Sequence, residues 1–191
     1  GETVFSRGAD FVLRLHGRED TALLVTERYS AVRENFLMEI SGENPFSDRP
    51  EKDDGSFGPV ALAVEDLRVS EERTYLGLWE AGKLVAGTQD RSSPDFLSLA
   101  DFCFGPDGVE IRIPWLLMNV GDPSGMAVHQ DYYEHYGVEF TAVSGVYLGI
   151  GHAGDVIEMS RVELSPTGSQ PVYREVLKQS YGLVQREWKG E

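Results

Sequence analysis

The chain has 191 residues, 32 of them acidic against 17 basic, and a formal net charge of −15. Such a field repels phosphate backbones and argues against nucleic-acid binding, and no apolar run approaches the roughly 18–20 residues of a membrane-spanning helix. The length suits one domain with a sizeable core, and a single cysteine, Cys103, allows no intrachain disulfide.

The elements predicted along the chain are mostly short strands. Phe11-Val-Leu-Arg-Leu-His16 alternates with period two, and Ala22-Leu-Leu-Val-Thr26 returns after the turn-like Gly17-Arg-Glu-Asp20, which predicts a hairpin. Residues 41–58 hold glycines and prolines with little apolar content, and predict a long loop; Asp53 and Asp54 there read as an acidic turn before an ion site. Val60-Ala-Leu-Ala-Val64 predicts a short strand. Thr74-Tyr-Leu-Gly-Leu-Trp79, the turn Glu80-Ala-Gly-Lys83 and Leu84-Val-Ala86 predict a second hairpin. Cys103, between Phe102 and Phe104, reads as a small buried hydrophobe. Glu110-Ile-Arg-Ile113 places Ile111 and Ile113 on one face, with Glu110 and Arg112 as an exposed ion pair on the other. Gly145 to Ile150 and Val156 to Leu164 predict two late strands. In the final segment Leu177, Tyr181, Val184 and Trp188 recur at helical spacing, extended by Val172 and Val176, which predicts an amphipathic helix over 171–188 packed on the strands. The expected fold is one mainly β domain over 1–191, an antiparallel β-sandwich of jelly-roll type with one C-terminal α-helix.

The candidates for chemistry cluster after the Ile-Pro-Trp strand. Tyr132, Tyr133 and Tyr136 crowd one loop, with Trp115 and Phe140 near in sequence. Aromatic rings stack on sugar faces, and equally close the end of a sandwich core with the hydroxyl as a polar handle. Asp131 and Glu134 stand beside them to accept hydroxyl hydrogen bonds or hold Ca²⁺. His129, Asp131 and His135 are residue types that ligate transition metals. Were this stretch helical, Asp131 and His135 would share a face and His129 would not. An exposed polar loop and a ligand-contacting rim are the competing readings of this spacing. The acids that outnumber Arg112 and Arg161 between residues 101 and 165 read as a solvated surface, or as a cation site. No GxSxG, Walker or dinucleotide-binding pattern is present in the sequence. Glu110, Asp122, Asp131 and Glu134 contain the carboxylate type that glycoside hydrolysis needs, without a placed pair.

Val109-Glu-Ile-Arg-Ile-Pro-Trp115 resembles a recurring element of the family-nine-like carbohydrate-binding and DOMON-type sandwiches, in which a late strand reads Glu-hydrophobic-x-Ile-Pro-Trp before a short helical turn. Asn119-Val-Gly-Asp-Pro-Ser124 and Pro171 to Tyr181 are similar to bacterial surface or secreted proteins carrying such a module. The resemblance implies two antiparallel sheets, ligand binding on an exposed face or at loop ends, and an extracellular or cell-surface location. It makes Trp79 and Trp115 the candidates for a sugar-clamping pair, with Trp115 the more structural of the two. It also implies that Gly8-Ala-Asp-Phe11 opens a middle strand, so that further N-terminal strands are expected upstream or from a partner chain.

These features lead to the expectation of a non-catalytic binding module for a carbohydrate or cell-wall glycan within a larger bacterial protein. Its ligand-binding residues would be Tyr132, Tyr133, Tyr136, Asp131, Glu134 and Trp79. A structural domain completed by a partner strand is the first alternative. A metal-dependent hydrolase built on His129, Asp131 and His135 is the second.

Overall fold

A computed structural model describes residues 2–30, 55–70, 73–88, 90–131, 139–165 and Trp188. The protein is mainly β, with several small antiparallel sheets. In chain order the strands are β1 (Val4–Phe5), β2 (Phe11–Arg14), β3 (Ala22–Thr26), β4 (Phe57–Pro59), β5 (Ala61–Ser70), β6 (Arg73–Glu80) and β7 (Phe102–Gly105). They continue as β8 (Gly108–Ile111), β9 (Val120–Asp122), β10 (Ala127–His129), β11 (Phe140–Ala142), β12 (Gly145–Leu148), β13 (Val156–Ile157) and β14 (Ser160–Glu163). No helix among the described residues is long and apolar enough to cross a membrane.

The first predicted hairpin forms. β2 and β3 pair antiparallel from Phe11 opposite Val25 to Arg14 opposite Ala22. Within β3, Leu23 and Val25 are buried while Ala22, Leu24 and Thr26 are half-buried, the period-two signature of a strand with one face on the core. The turn is tied by Thr21, which is fully buried. Its hydroxyl donates to the Gly17 carbonyl at 2.8 Å and accepts from the His16 amide at 3.3 Å. Arg14 and His16 both reach Asp20 on the outside, at 2.8 and 3.0 Å. β4 adds to the far side of β3, so among the described residues β3 is central and β2 stands at one end of this order. A short strand, β1, precedes it and pairs parallel with β13. β4 also begins inside the predicted 41–58 loop, since Phe57 and Gly58 pair with Thr26 and Val25; the rest of that loop up to residue 54 lies outside the described residues.

The second predicted hairpin does not form. β6 runs back along β5 from Ser70 opposite Arg73 to Ala61 opposite Glu80, and the short strand predicted at 60–64 is the start of this longer one. The two long extended runs pair along a longer ladder than the brief Leu84–Ala86 could offer β6. The turn after β6 docks instead on older neighbours. Ala81 and Gly82 donate to the Val60 carbonyl, Leu23 donates to Gly82, and Leu84 donates to Thr21. Gly82 is required there: a Cβ would stand 2.3 Å from the Leu23 carbonyl oxygen.

The predicted strand at 156–164 is split. β13 pairs with β1, whereas β14 pairs antiparallel with β12 from Gly145 opposite Glu163 to Leu148 opposite Ser160. The chain changes partner at Glu158–Met159, where the Met159 amide donates to the Ser6 hydroxyl at 2.9 Å. β9, β10 and β11 form a further antiparallel unit with β10 in the middle. The predicted helix over 171–188 lies outside the described residues except for Trp188, which is exposed.

Among the described residues the buried apolar side chains are Leu23, Val25, Ala61, Leu84, Ala100, Phe102, Val120 and Met126, drawn from separate sheets and from the connections between them. Phe102 is the largest fully buried one. It packs edge-on against Phe104, with ring centroids 5.6 Å apart.

Candidate functional site

The hairpin β7–β8 positions the candidate site. Gly105-Pro-Asp-Gly108 is turn chemistry between two alternating runs, and the register sets Cys103 opposite Glu110 and Phe102 opposite Ile111. Side chains alternate across a strand. Asp101, Cys103, Glu110 and Arg112 therefore share one face, while Phe102 and Ile111 share the other, on which Phe102 is fully buried. Residues 85–88 extend this face on the β7 side. Asp101 donates its amide to the Val85 carbonyl, Gly87 donates to the Phe102 carbonyl, and Ala86 bridges Phe102 in parallel.

On this face lies an open depression of about 380 Å³, walled by Thr88, Asp90, Asp101, Cys103, Glu110 and Arg112. Gly87 lies at its floor, where a Cβ would meet the Leu97 and Ala100 Cβ atoms at 3.0 and 3.2 Å. Its lining carries carboxylates from three positions. Each has one oxygen held by a protein donor. Asp101 Oδ2 accepts from the Val85 amide at 2.8 Å. Asp90 Oδ1 accepts from the Ser92 amide at 2.9 Å and its hydroxyl at 2.7 Å. Glu110 Oε1 accepts from Arg112 Nε at 3.2 Å and Nη2 at 3.0 Å. The second oxygen of each carries no hydrogen bond among the described residues. The Ser92 hydroxyl and then its amide hold the Asp90 carboxyl below its ordinary value, so it is anionic over the whole neutral and mildly acidic range. The exposed Glu110–Arg112 pair is the one expected from alternation. Cys103 differs from expectation: it is half-buried on the polar face, because the fully buried aromatic beside it, Phe102, faces the opposite way.

Of the residues predicted from the 129–136 cluster, His129 and Asp131 are among the described residues. Tyr132, Tyr133, Glu134, His135 and Tyr136 lie outside the described residues. Asp131 is buried at 6% exposure and engaged with a partner, as a buried carboxylate must be, so it does not stand on an open rim. His129 is half-buried in β10; its ring lies 4.1 Å from that of Phe140, and its amide donates to Asn119. Among the described residues no group of His, Cys, Asp or Glu stands together as a metal-binding set. Asp122 bonds Ser124 locally, at 3.0 Å to its amide and 2.6 Å to its hydroxyl. Trp79, next to the last residue of β6, is 68% exposed. Trp115 opens a short 3₁₀ turn, Trp115–Met118, as the Ile-Pro-Trp pattern led us to expect; its ring is partly exposed.

The depression itself contains residues the sequence reading passed over, namely Asp90 and Asp101, and it moves Cys103 from core to wall. The signal for the wall was present. Asp101 and Cys103 alternate with Phe102 and Phe104 as Glu110 and Arg112 alternate with Ile111 and Ile113, across a Gly-Pro-Asp-Gly turn. Asp90 had no such signal, because its loop is brought alongside β7 by pairing between segments distant in sequence, the Ala86–Phe102 bridge and the bonds of Val85 and Gly87. No protein-family model, curated protein or solved structure matches the chain.

Proposed function

We propose that this chain is a non-catalytic binding module for a hydroxyl-rich ligand, a glycan, seated in the depression on the β7–β8 face. The observation that carries the reading is the set of three carboxylates, Asp90, Asp101 and Glu110, each clamped by one oxygen and presenting the other. Clamped acceptors lose little rotamer freedom when a sugar hydroxyl donates to them. Such groups suit binding and orientation, because they accept hydrogen bonds from fixed positions. The sheets are then read as the layers of an antiparallel sandwich, in keeping with the resemblance of Val109 to Trp115. Trp79, and the tyrosines 132, 133 and 136 with Glu134, supply further stacking and polar contacts in this reading.

Isothermal titration against a panel of neutral glycans tests it. Glu110→Gln and Asp90→Asn are each expected to weaken binding about tenfold, the worth of one charge-assisted hydrogen bond. Tyr133→Ala and Tyr136→Ala test the second cluster in the same assay. Failure of every glycan to bind, or affinities that none of the four substitutions moves, would sink the proposal.

One observation favours a second reading, an assembly domain completed by a partner chain. All four residues of β14 are exposed, and among the described residues β14 pairs with β12 alone. Strands left open on both faces and one edge are natural docking sites. Native mass spectrometry giving a monomer at all working concentrations, with no companion chain in the native preparation, would count against it.

A further inference from the structure

We infer that the proposed glycan site is bipartite, and that its ligand is amphipathic: a hydroxyl-rich unit carrying an alkyl or acyl substituent. The inference rests on the glycan reading above and names the ligand class that this site takes.

A second open depression, of about 310 Å³, adjoins the first. Ala100, Asp101 and Arg112 line both, so the two are separated by a shared wall and not by a stretch of surface. The character changes across that wall. On one side stand the clamped carboxylates. On the other stand Leu99, Ile113 and Pro114, with Ser98 as the polar side chain that is not shared. Leu99 is 79% exposed and contributes nothing to the core. Its position is nevertheless held, because Leu97 donates its amide to Thr88 at 2.8 Å and Ala100 donates to Leu97 at 3.0 Å on either side of it. Pro114 has no amide proton to offer and a fixed φ of −55°. This half of the surface thus gives a ligand apolar contact and few directional bonds.

A bare sugar fills only the polar half. Each depression alone stands at the small end of ligand-pocket sizes, about 300 Å³, whereas the two together fall well inside that range. A single ligand crossing Asp101 and Arg112 uses both halves without an unfilled gap. The exposed carboxylates also set the sign of what is accepted: they meet hydroxyl donors well and repel an anionic headgroup. The apolar arm is therefore attached to a neutral glycan unit.

The test is calorimetric titration with matched methyl and hexyl glycosides of glucose, galactose and N-acetylglucosamine, the hexyl members below their micellar concentration. For a sugar that binds, the hexyl glycoside is expected to bind about tenfold more tightly than the methyl one, a fraction of what full burial of the added methylenes would give because the depression is open. Leu99→Ser, at an exposed position, is expected to reduce that ratio to within about twofold. Glu110→Gln is expected to weaken both members equally. Methyl-detected NMR supplies a second readout: the Leu99 and Ile113 methyl signals shift with the hexyl ligand and not with the methyl one. Binding of methyl glycosides with no gain from the hexyl arm, or a gain that survives Leu99→Ser, overturns the bipartite site alone. Absence of binding by every glycoside in both series overturns the glycan reading with it.

Discussion

Asp90 shows how one residue acquires a defined role from its neighbours two positions on. Its Oδ1 accepts from both the amide and the hydroxyl of Ser92, and these bonds favour the charged form and lower its pKa from 3.8. The sign of the linkage follows. Any stabilisation from this carboxylate is complete above the unfolded value and is lost as pH falls through the lower folded one. Asp122 is held down in the same way by the Ser124 hydroxyl and the Gly125 amide. Ser92→Ala should therefore raise the Asp90 titration midpoint toward 3.8 and leave Asp122 low, as read by carboxyl NMR titration. An unmoved Asp90 midpoint would remove the Ser92 hydroxyl as the leading cause.

At the scale of elements, the informative contrast is between two predicted hairpins. The β2–β3 hairpin was legible because its turn is local: Thr21 closes on Gly17 and His16, all within the span that was read. The hairpin predicted over 74–86 was misread because equally good local patterns competed, and β6 took the longer partner, β5. The freed turn then packed against β3, with Gly82 under the Leu23 carbonyl. Gly82→Ala should cost about 3 kcal/mol in a urea unfolding experiment, since the added Cβ meets backbone that cannot rotate away. Gly8→Ala, where nothing lies within 4 Å of the new atom, should change stability by less than about 0.5 kcal/mol. Equal effects at the two positions would contradict the close approach. The split of 156–164 into β13 and β14 has the same origin, a change of partner that no periodicity records.

For the whole molecule, Phe102 joins stability to the candidate site. Its ring is fully buried in the core while the residues on either side of it, Asp101 and Cys103, wall the depression. Phe102→Ala should lower unfolding free energy by about 3–5 kcal/mol and also weaken any ligand that depends on Asp101. Urea denaturation followed by titration calorimetry checks both, and full affinity in a destabilised variant would separate the site from the core. Sequence by itself determined the mainly β character, the β2–β3 hairpin, the exposed Glu110–Arg112 pair and the absence of a nucleic-acid-like charge. All of these follow from local alternation, turn chemistry or summed charge. Tertiary structure alone decided that Asp90 lines one depression with Asp101 and Glu110, that Asp131 is buried, and that a polar and an apolar depression share one wall. Those facts depend on which distant strands pair, and pairing is settled by competition among partners across the whole chain, which no single segment encodes.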